Sequence, residues 1–146
     1  MSEVYSYLGS SVTAEHVAWI NVTNPLAGSK IYDDAVNFYR KTLDKFDCLL
    51  SAIEVRDNFF YKKKPLNFPR GPWPRSQDLE PLISLPFVIN ILKKKNLVKW
   101  GSCVGKKPYF YILNNIVAKD IDNPEDFEFC EIMYNKYKVK NLKSKK

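Results

Sequence analysis

The chain has 146 residues, 45% of them hydrophobic and 14% aromatic, enough for a packed core and against wholesale disorder. Its formal net charge of +7 is unevenly spread, with −3 in residues 1–57 and +10 in residues 58–146. That asymmetry suits an acidic partner such as RNA, DNA or an anionic membrane, and no apolar run reaches the ~20 residues of a membrane span.

Residues 1–32 read as a polar, turn-rich N-terminal extension with one strand candidate, His16-Val-Ala-Trp-Ile-Asn-Val22, before Asn24-Pro25 and Gly28-Ser29 break the chain. Met1-Ser-Glu-Val-Tyr5 lacks a basic start followed by an apolar stretch, so export is not expected. The cysteines Cys48, Cys103 and Cys130 are odd in number and widely spaced, which suits a reducing compartment and a cytoplasmic or nuclear setting. Asn21-Val-Thr23 matches a glycosylation acceptor but is expected to stay unmodified without export.

From Asp33 to about Val55, Val36, Tyr39, Leu43, Phe46, Leu50 and Ile53 step by threes and fours, and the spacing predicts one helix capped by Asp33 or Asp34. Asn58–Lys62 is a short strand candidate. It leads into Pro65–Arg75, where four prolines and a glycine exclude a helix and leave a loop anchored by Phe68 and Trp73. Ser76–Ile83 reads as a short helix. Leu85–Lys95 reads as another, with Ser84 as cap, Pro86 in the first turn and Asn96 as left-handed end. Leu97–Trp100 and Pro108–Leu113 then form a two-stranded ribbon around the turn Gly101–Lys107. Beyond Asn114, Asn123-Pro124-Glu125-Asp126 marks the start of a final helix with an apolar face of Phe127, Cys130, Tyr134 and Tyr137. Six lysines among residues 136–146 make a basic tail.

The order helix, strand, loop, short helix, helix, ribbon predicts an α+β chain. Residues 33–114 form a winged-helix-like domain, a helical core with a two- or three-stranded β-wing, and residues 115–146 add a C-terminal helix and tail. Leu92-Lys-Lys-Lys-Asn-Leu-Val-Lys99 followed by Tyr109-Phe-Tyr-Ile-Leu-Asn114 resembles the winged-helix superfamily. Within it, the stretch is similar to the plectin-type winged helix of a eukaryotic small-subunit ribosomal protein. Winged-helix subunits of the endosomal sorting machinery share the same helix-then-Trp-strand pattern.

The resemblance and the basic charge imply a protein contacting nucleic acid, RNA ahead of DNA, within a ribonucleoprotein. With one histidine, no Cys-x-x-Cys pair and no glycine-rich phosphate loop, it is expected to be non-enzymatic and to need no cofactor. Lys62, Lys63, Lys64, Arg70, Arg75, Asn90, Lys93, Lys94, Lys106 and Lys107 would meet phosphates, and Tyr109 or Tyr111 would stack on a base. The alternative is a structural subunit of a multiprotein complex, docking through Phe68, Trp73, Phe127 and Tyr134, with lysines that only solubilise. For Tyr109 a place in the core competes with stacking, and for the lysines plain solvation competes with phosphate contact.

A third reading rests on the single histidine. His16-Val-Ala-Trp19 followed by Asp34-Ala-Val-Asn-Phe-Tyr-Arg40 resembles the first strand and helix of glyoxalase-type metal enzymes, in which His16 would be a ligand. No second ligand-bearing module follows, no Cys-x-x-Cys pair occurs, and a strand histidine with structural contacts is the competing reading; no metal is expected.

Overall fold

The computed structural model describes residues 2–143, with side chains through residue 137. At its centre lies β2 (Cys48–Val55), whose first five residues are all buried. A central strand covered on both faces reads as an unbroken apolar run, and such a run can fit a helical stripe equally well. This ambiguity explains why one long helix was expected over residues 33–55. The chain instead forms α2 (Ser29–Thr42) and then the strand. Gly28, not Asp33 or Asp34, occupies the position before the helix.

Around β2 the sheet is mixed. β6 (Ile89–Lys93) runs antiparallel to it through Cys48↔Leu92 and Leu50↔Asn90, and β1 (His16–Ile20) pairs antiparallel with β6 through His16↔Lys93 and Ile20↔Ile89. β7 (Pro108–Ile112) lies parallel to β2 with Cys48↔Pro108 and Ala52↔Ile112 in register. β5 (Leu82–Ser84) continues along the far half of β2. Three steps along β2, from Ile53 to Leu50, match six along the partner, from Ser84 to Asn90. The extra residues fall in Leu85–Val88, where Phe87 takes a left-handed φ of 55°.

Alternation along the strands divides the core into two layers. Leu49, Ile89 and Ile91 pack under Ala35 and Tyr39 of α2, with Tyr109 and Tyr111 alongside. Cys48, Leu50 and Leu92 face the other way, against Leu97 of α3 (Lys94–Trp100), Cys103 and Tyr5 of α1 (Ser2–Ser11). A third cluster, Val88, Leu113 and Ala118, closes the end near Ile31 and Ile53.

The winged-helix expectation is therefore corrected on several elements. Leu85–Lys95 is a bend and strand rather than a recognition helix, and Leu97–Trp100 is helical rather than a ribbon strand. Gly101, at φ 57°, is the left-handed cap of α3, the role expected of Asn96. Pro108–Ile112 is a strand as expected, but its neighbour is β2 and the pairing is parallel, so Gly101–Lys107 is no wing turn. Ser76–Asp78 makes only a 3-10 turn. Residues 2–20, expected as an extension, supply α1 and an integral strand.

Two further sequence signals are met. The first is β1 itself. The second is α4 (Pro124–Lys143), where Asn123 Oδ1 accepts the Asp126 amide at 3.0 Å as an N-cap. The expected basic tail is helical to Lys143, and residues 144–146 lie outside the described residues.

Candidate active site

α2 lies across β6, β2 and β7 and leaves the edge strand β1 partly uncovered. The space between β1 and α2 is a cleft of about 260 Å³ lined by His16, Ala18, Val36, Tyr39, Arg40 and Leu43. Strand alternation sends His16 and Ala18 toward it, while Val17, which also contributes to the lining, packs against the opposite layer. From α2, Val36, Tyr39, Arg40 and Leu43 arrive at steps of three, one and three residues, which puts them on one side of the helix.

The polar centre of the cleft is a histidine–tyrosine pair. His16 Nδ1 and Tyr39 Oη are 2.8 Å apart, and the rings meet edge-on at 5.5 Å. Burial raises the Tyr39 hydroxyl from 10.0 to about 12, with smaller contributions from Cys48 and Glu15, so it keeps its proton. In the tautomer protonated on Nε2, Tyr39 Oη–H donates to Nδ1, and Nε2 points toward Glu15 Oε1, 3.6 Å away. Tyr39 is buried while His16 is partly open, so a carboxylate, an imidazole and a phenol form a chain from solvent into the cleft. Arg40 is exposed at the rim and makes no ion pair among the described residues. Also among the described residues, no group of three His, Cys, Asp or Glu side chains could hold a metal ion.

The residues named for nucleic acid separate into three places. Lys62, Lys63, Lys64, Arg70 and Arg75 share one projection, the hairpin of β3 (Phe60–Tyr61) and β4 (Lys64–Pro65) with the following loop; Arg75 is bound to Asp78 at 2.7 and 3.0 Å. Lys93 and Lys94 close β6 and open α3, and Lys94 Nζ donates to the Val12 carbonyl at 3.0 Å. Lys106 and Lys107 lie in the loop before β7, their amides both donating to Asp47 Oδ2 at 2.9 Å.

Of the other named residues, Asn90 is buried and Tyr109 half-buried. Asn90 is 1% exposed, its Nδ2 donating to Cys103 Sγ at 3.5 Å, because a strand position beside β2 faces the inner layer. Tyr109 stacks on Phe38 at 6.1 Å and meets Phe46 edge-on at 5.4 Å, a packing role rather than a base platform. Of the residues named for protein docking, Phe68 is half-buried between Phe60 and Trp73, and Trp73 is exposed rather than anchored on the body. Phe127 and Tyr134, on α4, line an apolar groove with Pro25, Leu26, Ile121 and Cys130.

Tyr39 and Arg40 were not singled out as site residues in the sequence. Tyr39 lies on an apolar helical stripe and belongs to the core; nothing in the spacing from His16 shows that its hydroxyl reaches across to an edge strand. Both Tyr39 and Arg40 fall in the stretch Asp34–Arg40 that resembles a glyoxalase-type helix, the one weak signal pointing to them.

A helix-flanked mixed sheet with an edge cleft holding an imidazole–phenol pair is the class of molecule seen here. No protein-family model and no curated protein matches the chain. Among solved structures it is similar to the bifunctional IspDF from Campylobacter jejuni, with a TM-score of 0.59 and 20% identity over 88% of this chain. The match covers 34% of that chain, so this protein spans about a third of its neighbour's length, and at this identity the likeness is one of fold.

The likeness, with the parallel β2–β7 pair, overturns the resemblance to the plectin-type winged helix. The reading of an RNA-contacting ribonucleoprotein component rested on that resemblance and falls with it, as does the winged-helix scaffold subunit. The exclusion of enzymatic chemistry is withdrawn too, since the architecture is shared with part of a protein described as bifunctional; His16 itself has the structural contact, to Tyr39, expected of a strand histidine.

Proposed function

We propose that the β1–α2 cleft binds a small acidic molecule and that His16 exchanges a proton with it. One observation carries this reading: the 2.8 Å contact between His16 Nδ1 and Tyr39 Oη in the wall of an apolar cavity. Histidine is the side chain whose ordinary pKa allows it to give and take protons near neutrality. Tyr39 acts as a positioning residue, holding the ring through Nδ1, and Glu15 lies near Nε2. Arg40 at the rim is the cation that would hold a carboxylate or phosphate. A volume of about 260 Å³ lies just under the ~300–1,000 Å³ usual for drug-sized ligands, which favours a compact molecule with a short apolar body.

Because His16 is the only histidine, its imidazole protons give one resolvable reporter in a proton NMR spectrum. Titration with small carboxylates and phosphate monoesters is expected to shift those signals saturably, and Arg40→Ala to weaken binding about tenfold or more. His16→Gln is expected to keep binding but remove any proton-transfer activity found for the bound compound. If every acid leaves the imidazole signals unmoved in the folded protein, the reading fails.

A further inference from the structure

Residues 58–75 contain five Lys or Arg and neither Asp nor Glu. They leave the body as a two-stranded unit that pairs with no strand of the main sheet. Asn67 ties its base: Oδ1 accepts the Phe59 amide at 3.0 Å, and Nδ2 donates to the Asp57 and Glu80 carbonyls at 2.8 and 3.4 Å. Lys62 and Lys63 make the turn at φ 47° and 64°, a left-handed conformation that glycine or asparagine usually takes. An all-lysine tip therefore stands where local preference asks for something else.

The same projection exposes large apolar side chains: Phe60 is 59% accessible, Tyr61 61%, Leu66 54% and Trp73 71%. Phe60 meets Phe68 edge-on at 5.4 Å, and Phe68 meets Trp73 at 5.6 Å, so the rings form one cluster. Lys63 and Arg70 line the same crevice of about 300 Å³ as Phe60, Phe68 and Trp73. Arg75 is neutralised by Asp78, which leaves Lys62, Lys63, Lys64 and Arg70 as the cations beside these rings.

We propose that this tip docks on an anionic lipid surface, Trp73, Leu66 and Phe60 entering the headgroup region while the three lysines and Arg70 meet lipid phosphates. Charge complementarity names the surface, because basic clusters beside apolar side chains are drawn to anionic leaflets. Trp73 and Tyr61 suit the interface, each having an apolar ring with one polar end, with no stacking partner required. A single-stranded nucleic acid suits the cluster less well: its rings already lean on one another, and the aliphatic Leu66 offers no platform to a base. Among the described residues no helix is long and apolar enough to cross a membrane, so the contact is peripheral.

Flotation of the full chain with vesicles of phosphatidylcholine alone, and of phosphatidylcholine with phosphatidylserine, tests this. Binding is expected to be about tenfold or more stronger to the anionic vesicles and to fall with salt. The double variant Lys62→Gly/Lys63→Gly removes two charges while suiting the left-handed turn, and should lose about tenfold in binding with its circular dichroism unchanged. Trp73→Ser should lose a similar factor. Equal binding to both vesicles, or anionic binding that both variants leave intact, overturns the proposal. So does an RNA gel shift lost in the double variant without any flotation.

Discussion

Tyr39 shows how one side chain can serve the core and the cleft together. Its ring packs among Ala35, Leu49 and Ile91, and its hydroxyl turns outward to His16. Burial lifts its ionisation to about 12, and burial likewise lifts the Cys48 thiol to about 12. For an acid whose pKa is higher folded than unfolded, the stability it contributes is complete below the unfolded value and lost as pH rises through the folded one. Cys48 and Tyr39 have ordinary values of 9.0 and 10.0, so stability should decline from about pH 9 toward about pH 12. Urea midpoints measured across this range should fall in the native chain and fall less in Tyr39→Phe. Tyr39→Phe should also cost about 1 kcal/mol at neutral pH through the lost hydrogen bond.

Among the elements, α1 depends on a close approach to α3. A Cβ at Gly9 would lie 2.7 Å from Val98 Cγ2 and 3.3 Å from Leu97 Cδ2; Val98 is exposed, but Leu97 is buried in the layer below and cannot give way. Gly9→Val should therefore push α1 off α3, costing about 1–3 kcal/mol by overpacking, despite the general weakness of glycine in helices. Hydrogen exchange should show faster exchange in α1 with the α2 side protected; uniform protection throughout would contradict this. Nothing in Ser2–Ser11 announces this helix, whose hydrophobic residues are partly exposed and whose core contact is made by a glycine and Tyr5. By contrast α4 was legible because its start signals are local: Asn123, Pro124 and Asp126 act within one turn.

For the whole molecule, β2 is the element on which both layers rest. Leu49 touches α2 and its neighbours, and Leu50 the layer with α3, so each truncation opens a cavity in a different half of the core. Leu49→Ala and Leu50→Ala should each lower stability by about 2–5 kcal/mol, and thermal or urea unfolding should remain a single transition in both. Two separate transitions would mean that the layers fold independently.

Features set by near neighbours were legible along the chain: the strand at His16, the strand at Pro108, the capped final helix, and the basic, proline-broken excursion around Lys62–Arg75. Tertiary structure alone decided the rest. A run such as Cys48–Ala52 carries no record of whether it is covered by one layer or two, and that difference separates a helix from a central strand. The parallel pairing of β2 with β7 joins residues some sixty positions apart, and no local pattern encodes it. The His16–Tyr39 contact has the same origin, since it exists only because an edge strand and a helix are brought together over the sheet.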